Sequence, residues 1–501
     1  MKHVLFFCIL AIATLIRFHG ISRQMILIGD QGRDLFVARS LVQDGKIPLL
    51  GIPSSVPRFS QGPVYIYFLA FVYWISQGSI LATGLLAAGF SVATIVAVYL
   101  LVGTYDDWQS ATLSSFIVAF SPMLLLHARM PYHVNPIPFF IVIYLWQLVR
   151  FYRREKWSAF GAGLGFALVF QFELAAFPLL VLIPFVVLIQ SNSFRIKAMW
   201  SKMHENLGIF LSVCIGICLG LIPQIIFDFT HGFIQLGGFM VWVGYKIVTA
   251  LVPFTKNSFT DTSTPLKIKE LVTLFASIFT QNGIQWDNIF WLVLISLSTV
   301  FILMQWRKQN PVILVSCVAF LLLSIGLLFH RVPSEAYMPL FVVPVSVVIA
   351  NLLFKLSVSY RIPLLLVISL SVFLSFVTLK QHNYFLLSPF ESDWNTYRFG
   401  PSLETQRLIV NVLYAMSENQ CVVLGSTERD ATFPTLYNHL EYLLAIDPRS
   451  NNTSGDCVPF LIDRPVYAKT HWDTIRIEEH TDLGAYWIAS LRPKKIYARL
   501  Y

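Results

Sequence analysis

The chain has 501 residues, of which 56% are hydrophobic and only 13% are charged, and its formal net charge is +9. Charged residues make up about a quarter of an ordinary soluble protein, so the composition excludes a chain whose main solvent is water. The positive charge favours anionic lipid head groups or a phosphate ligand as partners, rather than nucleic acid.

Separated apolar blocks recur along the chain, and each is close to the roughly 20 residues that a helix needs to cross a bilayer. Because a lipid-exposed backbone must satisfy its own hydrogen bonds, we predict helices for these blocks. The predicted fold class is an all-α polytopic membrane protein of about eleven transmembrane helices. The predicted spans are 3–19, 82–102, 110–126, 134–149, 158–172, 174–190, 207–227, 288–305, 311–329, 336–354 and 361–379.

The stretch 63–78 is also apolar, but it contains three tyrosines and a tryptophan, which is typical of a helix at the head-group level. We therefore place it in the interface. Eleven crossings from a cytoplasmic N-terminus then put the basic clusters of the helix connections on the inner side, as the positive-inside rule requires. These clusters lie at 150–156, 195–202, 307–308 and 355–361. A twelfth crossing at 63–78 would move them outside.

The predicted domains are a transmembrane domain, 1–379, and a soluble domain, 380–501, on the outer side. Outer loops at 20–81 and 228–287 belong to the first. Helices at 403–417 and 435–444, with strands at 421–424, 474–479 and 486–491, predict a small α/β module. An oxidising compartment would allow Cys421 and Cys457 to form a disulfide, and free thiols are equally compatible with the sequence.

Ionisable and polar residues collect at the outer ends of the predicted spans, where such groups are costly and tend to mark function. Each loop alone could be merely solvated, and Asp30 could simply cap the helix that follows it. Five outer connections nevertheless carry such groups, and we expect them to converge on one cavity. Their residues are Asp30, Arg33, Asp34, Arg58, Tyr65, Arg129, Tyr132, His133, Asn135, Glu173, Asp228, His231, Arg331, Glu335 and Tyr337.

Four phrases occur in order along the first half of the chain. They are Asp30-Gln31-Gly32-Arg33-Asp34, Gly62-Pro63-x-Tyr65-x-Tyr67, Arg129 followed by Asn135-Pro136, and Phe227-Asp228-x-x-His231-Gly232-Phe233. With the predicted topology, they resemble the GT-C glycosyltransferases, in particular the bacterial-type branch of protein mannosyltransferases and aminoarabinose transferases. The resemblance extends to about residue 240, weakens towards 380, and is absent beyond. The chain departs from the family at Gln31, where many members have a second acid, and at Glu173 and Thr230, where related chains often have His and Arg.

The resemblance implies a membrane glycosyltransferase that moves a sugar from a polyprenyl-phosphate donor to a lipid, glycan or protein acceptor. The reaction would take place at the outer face of the plasma (inner) membrane, with inversion. One carboxylate then suffices to remove the proton of the acceptor hydroxyl, and we expect Asp30 in this role, with Asp34 as the second catalytic acid.

The departing phosphate gains charge and calls for fixed cations, which Arg33, Arg58, Arg129 and Arg331 would provide. The predicted substrate contacts are Tyr65, Tyr132, His133, Asn135, Glu173, Asp228, His231, Glu335 and Tyr337. No metal site is predicted from a motif, although a divalent metal could share the charge through Glu173, Asp228 and His231.

Two other functions compete with this interpretation. A flippase or transporter of lipid-linked sugar would also need a cationic cavity, but its charges would lie near the membrane midplane, between broken helices. Here the charges concentrate at one face, which favours an enzyme. An O-antigen-type ligase or polymerase would have a different fold, with its essential Arg and His residues on a large outer loop.

Overall fold

The computed structural model describes residues 3–27, 29–54, 56, 58–190, 207–251, 275, 278, 295–297, 299–300, 302–304, 310–330, 334–360, 402–425, 437–451, 457–463, 481–482 and 487–490. In the bundle the helices are α1 (Val4–Phe18), α2 (Ile21–Gln24), α3 (Gly29–Asp44), α4 (Val64–Ser76), α5 (Ile80–Tyr105), α6 (Trp108–Ala119), α7 (Pro122–His127), α8 (Ile137–Tyr152), α9 (Ser158–Phe172), α10 (Leu182–Gln190), α11 (Leu207–Gly220), α12 (Ile222–Thr230), α13 (Ile234–Leu251), α14 (Pro311–His330) and α15 (Pro339–Tyr360). Short 3-10 helices at Leu174–Val181 and Glu335–Tyr337 precede α10 and α15.

Within the described residues, two helices have the length and apolar composition of a membrane span, Ile80–Tyr105 and Pro311–Leu328. Helices α11 and α12 would together count as a third, bent by 75°. Several shorter apolar helices accompany them, including α1, α8 and α9. The predicted span 361–379 lies outside the described residues, so the number of eleven crossings remains a prediction.

Two predicted spans divide into two α-helices at a proline, and a third, 174–190, begins as the 3-10 helix Leu174–Val181, which contains Pro178. The span predicted at 207–227 divides into α11 and α12, and Pro223 lies in the first turn of α12. The span predicted at 110–126 divides into α6 and α7, and Pro122 is the first residue of α7. Proline is tolerated in the first turn of a helix but breaks a continuous one, because it has no N–H to donate to the preceding turn.

Close packing between α9 and α11 brings their C-terminal ends together. A Cβ atom on Gly163 of α9 would collide with the backbone carbonyl of Val213 in α11. Small residues at such contacts let helix backbones approach closely within a membrane. At the ends of the same two helices, the side-chain amide of Gln171 donates to the carbonyl of Gly220. The chain segments that follow α9 and α11 therefore begin side by side.

Several helix connections meet at the opposite end of the bundle. The Arg153 guanidinium lies 4.4 Å from the ring centroid of Tyr105, and the Asn310 side chain donates to the Tyr105 carbonyl. The Gln190 amide donates to the carbonyl of Phe151 at 2.6 Å. The distribution of basic residues in the sequence predicts that these helix connections share one side of the membrane. The structure places them at one end of the bundle.

The described C-terminal part contains helices α16 (Leu403–Met416) and α17 (Tyr437–Ile446) and a four-stranded sheet. The strands are β1 (Val422–Gly425), β2 (Val458–Asp463), β3 (Thr481–Asp482) and β4 (Trp487–Ser490), in the order β1-β2-β4-β3. Strand β1 is parallel to β2, and the other two pairs are antiparallel. A disulfide joins Cys421 to Cys457 at the starts of β1 and β2.

The sequence did not predict β2, whose second residue is Pro459, a residue type that usually demotes a stretch from strand to loop. The predicted strand 474–479 and the boundary between 379 and 380 lie outside the described residues. The division into two domains therefore remains a prediction.

The C-terminal part packs against α2 and α3 of the first predicted outer loop. The Leu403 amide donates to the Met25 carbonyl at 2.8 Å, and the rings of Phe36 and Tyr442 meet edge to face with centroids 5.3 Å apart. Buried apolar residues from both parts, among them Leu35, form one core. The C-terminal part and α3 thus lie at the same end of the bundle.

Candidate active site

The first two turns of α3 carry an acid–arginine–acid group on one helix face. Residues three and four apart lie on the same face of a helix, which brings Asp30, Arg33 and Asp34 together. Arg33 Nη1 lies 3.2 Å from Asp30 Oδ1, and Arg33 Nη2 lies 3.0 Å from Asp34 Oδ1. The side chains of Asp30 and Arg33 are 28% and 35% exposed, whereas that of Asp34 is 1% exposed. One guanidinium therefore holds an accessible carboxylate and a buried one.

The two acids of this group differ in environment. Burial raises the pKa of Asp34 to about 7, even though the Arg33 cation acts in the opposite direction. Asp34 Oδ2 is buried and accepts no hydrogen bond from a residue that the structure describes. Asp30 lies in the first turn of α3, where the exposed N–H groups of a helix favour a negative charge. Asp30 is therefore the acid that is both more exposed to solvent and better placed to carry a negative charge.

Tyr132, in the connection between α7 and α8, lies where the predicted loops meet. Burial raises the pKa of its hydroxyl, and nearby carboxylates raise it further. These carboxylates belong to Asp30, Glu173 and Asp34. Burial likewise raises the pKa of Tyr65, with smaller contributions from Asp34 and Tyr132. Carboxylates from two other parts of the chain therefore lie near Tyr132.

His133 is buried beside this group. Its ring lies edge to face on Tyr132, with centroids 4.1 Å apart. Burial lowers the pKa of His133 to about 3, and the Arg33 cation contributes to this. The imidazole is therefore neutral at physiological pH. Its Nδ1 is buried without a hydrogen-bond partner among the described residues.

Glu173 ends α9 and begins the 3-10 helix Leu174–Val181. Its Oε1 accepts from the Ala175 amide at 3.2 Å, and its Oε2 accepts from Gln61 Nε2 at 3.4 Å. Burial raises the pKa of Glu173 to about 7. The sequence did not single out Gln61, although its position directly before Gly62-Pro63 was a usable signal.

Arg129 has other partners than the predicted phosphate. Its Nη2 donates to the carbonyls of Ile16 and His19, at 3.2 and 2.8 Å. It therefore holds the C-terminal end of α1 against the third connection. Asn135 has a comparable position, since its Nδ2 donates to the His127 carbonyl at 2.7 Å. Both contacts favour a structural role over a role in substrate binding.

The predicted site residues Asp228 and His231 occupy the corner at the end of α12. Asp228 Oδ1 and Oδ2 accept from the amides of Gln235 and Leu236, at 2.8 and 3.0 Å. His231 is exposed, and its ring stacks on Phe227 with centroids 3.9 Å apart. These contacts cap α13 and terminate α12. These contacts give Asp228 and His231 a structural role that requires no ligand.

Replacing Asp228 by alanine is expected to destabilise this corner by about 1 kcal/mol, as the loss of a helix N-cap usually does. The measurement is the apparent melting temperature of the purified protein in detergent. Asp107→Ala is the matched control, because Asp107 precedes α6 but its side chain makes no capping hydrogen bond. Equal melting temperatures for the two variants would contradict the capping role.

The remaining predicted residues belong to other segments of the chain, and their part in the site stays a prediction. Arg58 is exposed, in a left-handed backbone conformation with φ 60°. Tyr337 is partly buried in the 3-10 helix that precedes α15, and Glu335 begins that helix. Arg331 lies outside the described residues. The described residues contain no group of three or more His, Cys, Asp or Glu placed to hold a metal ion.

The central part of the chain, which contains Tyr65, Tyr132, His133 and Glu173, is similar to a known family. Residues 60–217 match the family of dolichyl-phosphate-mannose-protein mannosyltransferases. The match confirms the predicted resemblance over this segment. It begins after Asp30 and ends before Asp228. No curated protein matches the chain in sequence.

Three solved structures are similar to the chain. ArnT from Cupriavidus metallidurans is 11% identical in the apo state, with 97% of each chain covered and a TM-score of 0.47. The same enzyme bound to undecaprenyl phosphate is 12% identical, with 98% of each chain covered and a TM-score of 0.46. The oligosaccharyltransferase AglB from Archaeoglobus fulgidus, in complex with an inhibitory peptide and a dolichol-phosphate, is 15% identical, with 83% of this chain covered and a TM-score of 0.44. The chain spans 58% of the length of AglB.

Proposed function

We propose that the protein is an integral membrane glycosyltransferase that transfers a sugar from a polyprenyl-phosphate donor to an acceptor at the outer membrane face. The observation that carries this proposal is the acid–arginine–acid group of α3, which lies near Tyr132 of the segment that matches the mannosyltransferase family. That family is named for a donor in which mannose is carried on dolichyl phosphate. Transfer of a sugar from a lipid phosphate needs a carboxylate that accepts the acceptor proton and a cation that stabilises the departing phosphate.

In this mechanism Asp30 accepts the proton of the acceptor hydroxyl. The acceptor oxygen forms a bond to the anomeric carbon from the face opposite the phosphate. The bond between the anomeric carbon and the phosphate oxygen breaks, and its electron pair leaves with the phosphate. Products are the inverted glycoside and polyprenyl phosphate, so no covalent sugar–enzyme intermediate is required.

Arg33 stabilises the charge that develops on the departing phosphate. Its side chain is 35% exposed, so donor groups of the guanidinium can reach a ligand while others hold Asp30 and Asp34. An arginine suits this task because its planar fork binds two phosphate oxygens at once. Asp34 supports the arginine from its buried side and keeps it oriented.

The proposed location is the plasma (inner) membrane, with the N-terminus in the cytoplasm and the C-terminal part outside. Packing of the C-terminal part on α2 and α3 supports a common side for both. The disulfide between Cys421 and Cys457 supports an oxidising compartment for that side. In such a topology the reaction takes place where lipid-linked sugars meet their acceptors.

Transfer can be measured directly with the full chain in proteoliposomes. A panel of polyprenyl-phosphate hexoses and pentoses is supplied, and mass spectrometry follows the release of polyprenyl phosphate in the presence of a membrane extract as acceptor. We expect release from at least one donor and, in cells that lack the protein, accumulation of that donor in the outer leaflet. A lipid-linked sugar trapped in the inner leaflet, with no release in vitro, would instead indicate a flippase.

A further inference from the structure

Four buried polar side chains lie within or beside the short segment Ser60–Gly62. They come from separate parts of the fold and are between 1% and 8% exposed. The four residues are Gln61, Gln171, Glu173 and Gln224. Polar side chains are seldom buried this deeply without full hydrogen bonding, so their partners decide what the cluster does.

The amide nitrogens of the three glutamines have acceptors. Gln61 Nε2 donates to Glu173 Oε2 at 3.4 Å, and Gln224 Nε2 donates to the Ser60 carbonyl at 3.5 Å. Gln171 Nε2 donates to the Gly220 carbonyl. These contacts determine which end of each amide is the oxygen. In each side chain Nε2 is the atom that makes the hydrogen bond, and Oε1 is left to find a separate donor.

The amide oxygens, in contrast, lack donors. Oε1 of Gln61, Gln171 and Gln224 is buried and accepts no hydrogen bond within the described parts of the chain. A buried polar atom without a hydrogen-bond partner destabilises the fold. Glu173 adds a carboxylate whose described hydrogen-bond donors are neutral, namely an amide N–H and Gln61. The cluster is thus rich in acceptors and poor in donors.

The three glutamines differ in how they can meet a ligand. Gln171 packs directly against Gly62, where a Cβ atom would collide with its side chain, and the Gly62 amide donates to the Gln171 carbonyl at 2.9 Å. Gln171 is therefore a positioning residue that holds the segment. Gln61 donates to Glu173, and the Glu173 carboxylate is close enough to Tyr132 to raise the pKa of its hydroxyl.

A sugar ring is the ligand whose chemistry matches this cluster. Each of its hydroxyl groups donates one hydrogen bond, and a carboxylate beside an amide oxygen can accept from neighbouring hydroxyls. A phosphate could not occupy the cluster, because it offers further acceptors to groups that already lack donors. The cluster also adjoins the residues that would perform the transfer, because Tyr132 interacts with both Glu173 and Asp30.

We propose that Gln61 and Glu173, flanked by Gln224, form the subsite that accepts hydrogen bonds from the hydroxyl groups of the donor sugar. This inference rests on the proposed function and adds to it the residues that select the sugar. The segment Ser60–Gly62 carries Gln61 into the site, and hydrogen bonds from the Gln61 amide to Ile52 and from Gly51 to the Gln61 carbonyl, both 2.8 Å, hold it there. Specificity would arise because a donor that lacks the matching hydroxyl leaves these acceptors unpaired.

The test compares Gln61→Leu and Glu173→Gln with the wild-type full chain. Binding is measured as thermal stabilisation by the best polyprenyl-phosphate sugar of the panel, relative to bare polyprenyl phosphate. We expect the sugar to add stabilisation in the wild type and to add little in either variant. Gln190→Leu is the control for a lost glutamine, since Gln190 bonds to backbone carbonyls at the opposite end of the bundle.

Deoxy analogues of the same donor then identify the contact. We expect Gln61→Leu to raise KM about tenfold for the complete donor, which corresponds to one hydrogen bond, and less than about twofold for the analogue that lacks the matching hydroxyl. Equal losses on all analogues, or no added stabilisation by the sugar in the wild type, would overturn the subsite. Wild-type stabilisation by the sugar without transfer would preserve the subsite and refute the proposed transferase.

Discussion

Asp30→Asn is expected to abolish sugar transfer while leaving the protein folded and inserted in the membrane. Asparagine keeps the shape of the side chain but cannot take a proton from the acceptor hydroxyl. Loss of a general base typically lowers a rate by about 10²–10⁴-fold. The measurement is the initial rate of polyprenyl phosphate release at saturating donor. Stabilisation by the donor should persist, because the Gln61 and Glu173 contacts are unchanged.

Asp44→Asn is the matched control for this substitution. Asp44 lies on the same helix, but at its other end, where it accepts from Ser40 at 2.7 Å and lies 3.6 Å from Lys46. We expect its rate to equal that of the wild type. Full activity of Asp30→Asn would remove the proposed base. Loss of activity in both variants would point to damage of α3 as a whole rather than to chemistry.

Much of the helical framework is predictable from hydrophobic pattern alone. Residues 158–172 were predicted as one helix and form one, and 311–329 differs from α14 by a single residue. Both segments are mostly apolar and are bounded by polar residues, so the length of the apolar block is enough to predict each helix. The helix breaks before Pro122 and Pro223 were missed, because hydropathy averages over a proline that is itself compatible with an apolar block.

The candidate site was predictable in part, and for a physical reason. Asp30, Arg33 and Asp34 share a helix face, so their spacing predicts contact. Glu173 is an acid between apolar blocks, which predicts a costly burial that the structure shows. By contrast, the partners of Arg129 are backbone carbonyls of α1, which no pattern in the sequence reveals.

Residues of the proposed sugar subsite illustrate what sequence reasoning cannot reach. Gln61, Gln171 and Gln224 are uncharged, and only Gln61 adjoins a recognisable phrase, Gly62-Pro63. They matter because three chain segments bring them around Gly62, and because their oxygens lack donors there. Both facts depend on tertiary contacts between residues far apart in the chain.

Arg33→Gln is expected to reduce transfer by about 10²–10³-fold, which is the usual cost of removing one group that stabilises charge in a transition state. Arg33 is the one predicted phosphate-binding arginine that the described structure places beside Asp30. Its loss removes a cation from the departing phosphate and leaves Asp30 and Asp34 without their common partner. Arg33→Lys restores the charge without the planar fork, so its rate should lie between those of the wild type and Arg33→Gln.

The pH dependence of Arg33→Gln gives this prediction a second measurement. Burial raises the pKa of Asp34 to about 7 although Arg33 lowers it, so removing the cation should raise this pKa further. If ionised Asp34 orients the site, the acid limb of kcat/KM lies near pH 7 in the wild type and moves to higher pH in the variant. Arg39→Gln is the control, because Arg39 bonds to Gln43 at 2.8 Å on the same helix and to neither acid. An acid limb that stays in place would show that Arg33 does not control the pKa of Asp34. An unchanged rate would show that Arg33 does not stabilise the departing phosphate.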